Sequence, residues 1–277
     1  MHDDDFYKKL ISLESDLEHL INQNDKLIKQ NSGLKRDLIK AHQNLLSSDN
    51  INLCPICGHE SKFFEPLNAT HPFDLVRCPY CDSLHRHRLV FLVLKLRFKE
   101  LLNDNIKLLH FAPELSLYNF FTNKRNIDYF PVDLNPEYYE RKDIFIREKV
   151  NMENIPYDDN TFDIIYNSHV LEHVPDDIHA MAELYRVLKP KGICIIMVPM
   201  SSYGKTREKE EYNTPELRLK YYYQEDHLRL YGADFKDRLI SVGFNVEEIN
   251  AESLVGISDM KKYVLVKRDK VFLCTKK

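Results

Sequence analysis

Four of the six cysteines have the spacing of a metal site. They form two C-x-x-C pairs, Cys54 with Cys57 and Cys78 with Cys81, separated by twenty residues. A C-x-x-C turn places two thiolates on one side of an ion, and zinc takes four such ligands at tetrahedral corners. We therefore predict a zinc ribbon with a closed, structural site, although the same thiolates could hold iron.

A second set of motifs lies between residues 152 and 199. It contains the short motifs IPY, FDII, VLEHV and RVLKPKG, at 155–157, 162–165, 170–174 and 186–192. With these motifs the segment resembles the class I S-adenosylmethionine-dependent methyltransferases, which have a Rossmann-like fold, and in particular the type 11 methyltransferase-domain family. The resemblance covers about residues 104–277 and is most specific over 152–199. The resemblance implies that S-adenosylmethionine lies across the carboxyl ends of the first strands, as is usual for such sheets.

The family's first motif, an acidic residue followed by Gly-x-Gly-x-Gly, matches HFAPELS at 110–116. His110 stands where the family has an acid, and Ala112, Glu114 and Ser116 stand where it has glycines. Alanine and serine are small enough for a cofactor to approach closely. Glu114 could instead meet the ammonium group of the cofactor.

Further cofactor contacts are implied by the same resemblance. Asp133, followed by Leu134, ends the second strand, where the family has an acid that binds both ribose hydroxyls. A carboxylate with two acceptor oxygens suits a diol; the alternative is a turn or capping aspartate. The other implied contacts are Asn151 and Met152 at the adenine, and Asn167 and Ser168 near the methyl donor.

Three histidines are candidate catalytic bases: His169, His173 and His227. Methyl transfer requires alignment of donor and acceptor and removal of a proton from a hydroxyl acceptor. Some family members place an acid and a histidine near the acceptor at the position of His173, sometimes with a divalent ion; a capping role is the alternative. His227 follows a polar insert at 201–222 that could cover a substrate pocket, or form only a hydrogen-bonded surface loop.

We therefore expect an S-adenosylmethionine-dependent methyltransferase that acts on a polar small molecule or a glycan precursor. Two alternatives stay open: methylation of rRNA or tRNA, and a non-catalytic adaptor with a degenerate core. Six Arg and Lys residues against one Asp over 77–99 favour RNA, whereas the net charge of −4 disfavours it. The substituted first motif is the main support for the adaptor.

Residues 6–46 carry an unbroken heptad pattern, which predicts a coiled coil. Asn24 and Asn31 occupy a positions, where asparagine favours two parallel strands in one register. We expect a homodimer through this segment; the alternative is a helix packed on its own globular domain.

The elements beyond the cysteines alternate between strands and helices. Apolar runs at 106–111, 127–132, 162–167 and 192–199 predict buried parallel strands, with helices near 83–102, 114–122 and 176–188. A last helix and two strand candidates follow. The predicted fold is α/β: a doubly wound, mostly parallel seven-stranded sheet, preceded by the ribbon and the coil.

This organisation predicts three domains, at 1–50, 51–103 and 104–277. No apolar run approaches the roughly 18 residues that a membrane-spanning helix needs, and the acidic N-terminus does not resemble a secretory signal. We therefore expect a cytoplasmic protein, in which paired cysteines indicate metal rather than disulfides.

Overall fold

The computed structural model describes residues 51–68, 71–140, 142–201 and 204–276. The predicted coiled coil at 6–46, with the dimer it would form, lies outside these residues. Within the part of the chain that the structure describes, no helix is long and apolar enough to cross a membrane.

Two short hairpins and a helix precede the main sheet. β1 (Asn52–Leu53) pairs antiparallel with β2 (Glu60–Ser61), and β3 (Glu65–Asn68) pairs antiparallel with β4 (His71–Arg77). Helix α1 (His85–Arg97) follows the second cysteine pair and ends earlier than the predicted residue 102. All its residues from Leu89 to Leu94 are buried, because α1 is covered by other elements on several sides.

Seven strands form the main sheet, and their order is 10-11-9-8-5-6-7 in chain numbering. They are β5 (Ile106–Phe111), β6 (Ile127–Asp133), β7 (Glu148–Lys149), β8 (Phe162–Ser168), β9 (Leu188–Met197), β10 (Asn245–Asn250) and β11 (Lys270–Thr275). β11 is antiparallel to both of its neighbours, and the other adjacent pairs are parallel. The predicted seven-stranded, mostly parallel sheet is therefore confirmed.

Five further helices connect or flank these strands: α2 (Leu115–Thr122), α3 (Asp177–Val187), α4 (Pro215–Tyr222), α5 (Phe235–Ser241) and α6 (Ala251–Lys262). The Asp176 side chain caps α3 by accepting a hydrogen bond from the amide of His179. β9 begins at Leu188 rather than at the predicted residue 192. The chain bulges through Lys189, Pro190 and Lys191, because Phe162 pairs with Leu188 and Ile164 with Ile193.

Two apolar layers cover the two faces of the sheet. One layer includes α3 and α5, and the other includes α1 and α2. The helix that follows the cysteines thus shares its apolar layer with strands β5 and β9. The domain boundary at 103/104 stays a prediction.

The order of the strands changes direction between β5 and β8. From β5 the chain moves outward through β6 and β7, and it then returns to the other side of β5 at β8. Such a switch point opens a crevice at the carboxyl ends of the strands, where α/β proteins bind their ligands. This crevice is therefore the place to examine the predicted site residues.

Candidate functional site

The two cysteine pairs occupy equivalent backbone turns. The amide of Gly58 donates to the carbonyl of Cys54 at 2.8 Å, and the amide of Asp82 donates to the carbonyl of Cys78 at 3.0 Å. Gly58 (φ +74°) and Asp82 (φ +60°) both adopt the left-handed conformation. Glycine does so without penalty, and aspartate more readily than most residues. The sequence thus builds the same thiolate-presenting turn twice.

The four thiols converge as a tetrahedral site requires. The Sγ atoms of Cys54 and Cys81 are 3.6 Å apart, those of Cys57 and Cys78 are 3.8 Å apart, and all four lie within 4.8 Å of one another. Zinc–sulfur bonds of about 2.3 Å place tetrahedral thiolates about 3.8 Å apart. The residues therefore fit a closed four-thiolate zinc site.

A fully buried arginine joins this ribbon to the rest of the chain. The Arg88 guanidinium donates to the carbonyls of Val76, Ser83, Tyr263 and Val264 at 2.6–2.9 Å. Two of these carbonyls belong to the ribbon and two follow α6. Since buried charge requires this degree of pairing, the start of α1 is held in one position against the sheet domain.

The loop after β5 departs from the family's glycines but keeps a glycine-like backbone. Ala112 has φ +51°, and its amide donates to the carbonyl of Val132 at 3.0 Å. Left-handed backbone disfavours residues with a Cβ by about 1–2 kcal/mol. The loop therefore keeps a turn that glycine would adopt more easily.

Glu114 belongs to a buried polar network beneath this loop. Its Oε1 accepts a hydrogen bond from the Tyr166 hydroxyl at 3.0 Å, and its Oε2 lies 3.1 Å from Nε2 of His110. His87 Nε2 lies 3.4 Å from Oε1. Burial raises the pKa of Glu114, but the nearby His87 and the hydrogen bond with His110 outweigh it and lower the pKa to about 2. The carboxylate is thus engaged within the protein, and a contact with a cofactor ammonium stays a prediction.

Asp133 lies at the carboxyl end of β6, as the sequence predicts. Its Oδ1 accepts a hydrogen bond from the amide of Asn135 at 2.7 Å, and its Oδ2 accepts one from the Tyr139 hydroxyl at 3.0 Å. Each oxygen keeps a second lone pair for a ribose hydroxyl. The neighbouring Leu134 is 49% exposed, an apolar side chain at the rim of the crevice.

The two predicted adenine contacts differ in their surroundings. The Asn151 side chain is exposed and accepts a hydrogen bond from the amide of Glu153 at 3.0 Å. Met152 is buried in the apolar layer with α3. Met152 could therefore offer only its backbone to a polar base edge, and the adenine contacts of both residues stay predictions.

Buried polar groups without partners lie at the end of β8 and the start of α2. Asn167 is 0% exposed and Ser116 is 4% exposed. Among the described residues, no group forms a hydrogen bond with Oδ1 or Nδ2 of Asn167. The hydroxyl of Ser116 also lacks a partner there. Ser168 is also buried. Because unpaired buried polar groups are rare and costly, they mark a site for a polar ligand. The crevice thus fits a polar cofactor.

The three candidate histidines meet around one carboxylate. His169 Nδ1 lies 3.5 Å from Oε1 of Glu172, and His227 Nε2 lies 4.0 Å from the same atom. The rings of His173 and His227 pack edge to face at 4.8 Å. Burial lowers the pKa values of His169 and His227 and raises the pKa of Glu172 to about 8. His169 and His227 are therefore neutral near pH 7.

Arg229 fixes the turn that carries Glu172. The guanidinium is 1% exposed and donates to the carbonyls of Leu171 and Pro175 at 3.0 and 2.8 Å. It also pairs with Glu208 at 2.6 Å, and the amide of Leu228 donates to the carbonyl of Glu172. These bonds tie the segment after the polar insert to the end of β8, which is why His227 reaches the crevice.

Sequence reasoning passed over two groups that the structure brings to this crevice. Glu172 lies within the VLEHV motif, but only its neighbour His173 was predicted to act. The segment His85–Arg88 follows the ribbon directly, and Arg86 influences the pKa values of Glu172 and His169 through its charge. The sequence signal for this segment is its alternation of histidine and arginine. Such polar residues are normally expected on the protein surface, so the pattern alone does not indicate a site.

Comparisons with known proteins match part of the chain to methyltransferases. Residues 116–196 match the family model described as a methyltransferase domain. A probable S-adenosylmethionine-dependent methyltransferase of Mycolicibacterium smegmatis is 27% identical over 101 residues, which is 35% of this chain and 34% of that protein. A glycine/sarcosine/dimethylglycine N-methyltransferase of Actinopolyspora halophila is 40% identical over 52 residues, 19% of this chain and 9% of that protein.

Among solved structures, a putative sarcosine dimethylglycine methyltransferase from Galdieria sulphuraria aligns with a TM-score of 0.48 and 16% identity, over 70% of this chain and 89% of that one. The chain spans at most 34% of the length of the two curated relatives. The match to a methyltransferase domain therefore covers residues 116–196, which include strands β6, β7 and β8 and most of β9.

Proposed function

We propose that the protein transfers a methyl group from S-adenosylmethionine to a polar small molecule or glycan precursor. The observation that carries the proposal is the pair of unpartnered buried groups, Asn167 and Ser116, at the switch point of the sheet. A folded chain that leaves these groups unpaired gains stability when a polar ligand binds there. Because residues 116–196 match a methyltransferase domain, S-adenosylmethionine is the first ligand to test.

The chain's own residues suit the two ends of that cofactor. Asp133 offers free lone pairs at the end of β6 for a ribose diol, and Asn167 offers an amide at the end of β8. When bound, S-adenosylmethionine supplies a sulfonium methyl, whose C–S bond breaks with its electron pair kept on sulfur as the acceptor bonds to the carbon. The protein has to align the acceptor and receive its proton.

The acceptor side is the cluster of Glu172, His169, His173 and His227. Nδ1 of His227 donates to the carbonyl of Tyr222 at 3.0 Å, so that Nε2 keeps a free lone pair facing the cluster. A polar acceptor would find carboxylate and imidazole groups here, whereas an apolar acceptor would leave them unpaired. This supports a hydroxyl- or amine-bearing acceptor.

Three of the six basic residues over 77–99 are buried or paired with acids, which weakens the argument for RNA. Arg88 is buried, Arg97 pairs with Glu247 at 2.9 Å, and Arg77 pairs with Glu65 and Asp82 at 3.1 and 3.2 Å. RNA affinity depends on free cationic groups that contact phosphates. We retain structural zinc in the ribbon and a homodimer through residues 6–46 as parts of the proposal.

Calorimetry with S-adenosylhomocysteine tests the cofactor site. In Asp133→Ala, affinity should fall by about one to three orders of magnitude, because each charge-assisted hydrogen bond contributes roughly 1.5–3 kcal/mol and about 1.4 kcal/mol is tenfold. Asp128→Ala is the matched control: Asp128 lies on the same strand, half exposed, and pairs with Arg147. Its affinity should equal that of the wild type. Absence of binding by the wild type at millimolar concentration would favour the adaptor alternative.

A further inference from the structure

A second group of metal-ligating side chains lies at the carboxyl end of the sheet. Glu172, His173 and His227 each offer a ligand atom, and these atoms lie within 4.8 Å of one another. Oε1 of Glu172 and Nε2 of His227 are 4.0 Å apart. Bonds of about 2.1 Å set the ligand atoms of a tetrahedral ion about 3.4 Å apart. Side-chain movements of about 1 Å would therefore close the three groups around an ion.

The carboxylate in this group has no compensating partner. Glu172 is 0% exposed, and across the described residues nothing donates a hydrogen bond to either of its carboxylate oxygens. A buried carboxyl group normally has a hydrogen-bond partner, an ion-pair partner or a metal, because leaving it unpartnered is costly in either protonation state. The surroundings of Glu172 therefore suit a metal ligand better than a residue of the apolar core.

Both histidines are held by the nitrogen that a metal would not use. Nδ1 of His227 donates to the carbonyl of Tyr222 at 3.0 Å, and Nδ1 of His173 lies 3.2 Å from the carboxylate of Asp226. A histidine ligand in a metal site commonly donates its other ring N–H to a carbonyl or a carboxylate, which fixes the ring and its tautomer. In His227 Nε2 is then left with a free lone pair, and an N–H of His173 donated to Asp226 would leave the same lone pair on that ring.

We propose that Glu172, His173 and His227 bind one divalent transition-metal ion. One carboxylate and two imidazoles suit Mn²⁺, Fe²⁺, Co²⁺ or Zn²⁺, and three protein ligands leave coordination positions open. The catalytic role of the ion rests on the proposed function. There it binds an oxygen of a hydroxyl-bearing acceptor, lowers the pKa of that hydroxyl and orients it beside the end of β8.

Mn²⁺ titration of the zinc-loaded, full-length protein tests the site. Mn²⁺ prefers oxygen and nitrogen ligands, so the thiolate site keeps its zinc. Calorimetry should show one Mn²⁺ per chain in the wild type and at least tenfold weaker binding in Glu172→Gln and in His227→Ala. His179→Ala is the control, because His179 is an exposed histidine on α3 outside the cluster. Its Mn²⁺ affinity should match the wild type.

A second variant separates loss of the site from loss of the fold. Asp226 is 66% exposed, so Asp226→Asn should unfold at the wild-type temperature while binding Mn²⁺ about tenfold more weakly, as outer-shell changes do. Failure of the wild type to bind Mn²⁺, or wild-type affinity in both Glu172→Gln and His227→Ala, would overturn the site. If Mn²⁺ binds but S-adenosylhomocysteine does not, the site stands and its catalytic role falls with the proposed function.

Discussion

The ribbon and the crevice at the end of the sheet both present ligand groups, but the chain builds them differently. The ribbon cysteines lie on two short turns, each held by its own backbone hydrogen bond. The crevice joins residues from distant segments, and the bonds of Arg229 to the turn around Glu172 hold them together. A site made by local turns is visible in residue spacing, whereas a site made by long-range packing is not.

The largest effect should come from removing one ribbon thiolate. Structural zinc contributes about 10–16 kcal/mol to small domains of this kind, so Cys57→Ser should lose zinc and unfold residues 52–83. Strands β8 and β9 should keep their amide protection, since their buried side chains lie in other clusters. Hydrogen exchange by segment, with metal analysis, measures both effects.

Cys194→Ala is the matched control for this substitution. Cys194 is buried in β9 and lies outside the four-thiol group, so the variant should keep its zinc and the protection of the ribbon. Simultaneous loss of protection in the ribbon and in β8 of Cys57→Ser would show that Arg88 couples the two regions into one folding unit. The conclusion that the ribbon is formed by local turns, and the crevice by long-range packing, would then be wrong.

The regular elements were predictable because their residues carry a local signal. The strand at 106–111 is confirmed to the residue as β5, since an apolar run of that length can form only a buried strand or a short helix segment. The pattern failed where the signal is weak. α4 lies in a polar insert, β7 has two residues, and α6 contains Gly256 at φ +76°.

The candidate site was predictable residue by residue but not as an arrangement. Asp133 and Asn167 could be placed because each ends a predicted strand. His169, His173 and His227 were named separately, and nothing in the sequence places them around Glu172. That neighbourhood depends on Arg229, whose donors reach carbonyls more than fifty positions earlier in the chain. The spacing of residues in the sequence does not indicate such long-range contacts.

A smaller effect should come from His87, a buried histidine in α1, through the pH dependence of the free energy of unfolding. Burial lowers the pKa of His87 to about 3. The unfolded chain takes up a proton at this histidine below about pH 6.5, while the native protein does not until near pH 3. The unfolded state therefore binds more protons in that window, and the free energy of unfolding falls as the pH drops from 6.5 toward 3.

His87→Gln should remove about 2–4 kcal/mol of that pH dependence, because glutamine does not titrate. Denaturant unfolding at pH 7, 5 and 4 measures the slope. His179→Gln, an exposed histidine on α3, should leave the slope unchanged. Equal slopes in the wild type and His87→Gln would mean that the pKa of His87 is the same in the native and unfolded states.

The smallest expected effect concerns the loop that replaces the family's glycines. Ala112 has φ +51°, so Ala112→Gly should relieve about 1–2 kcal/mol of backbone strain and lose about 0.4–1 kcal/mol to the greater freedom of the unfolded chain. The free energy of unfolding should therefore rise by about 0–1.6 kcal/mol. For Ala180→Gly in α3, a buried helical position, the free energy of unfolding should instead fall by about 1 kcal/mol.

Denaturant unfolding measures both changes. Changes of opposite sign in the two variants would show that the loop keeps a glycine-type turn without the glycine. A loss of stability in Ala112→Gly similar to that in Ala180→Gly would mean that the Cβ of Ala112 contributes packing that outweighs the strain.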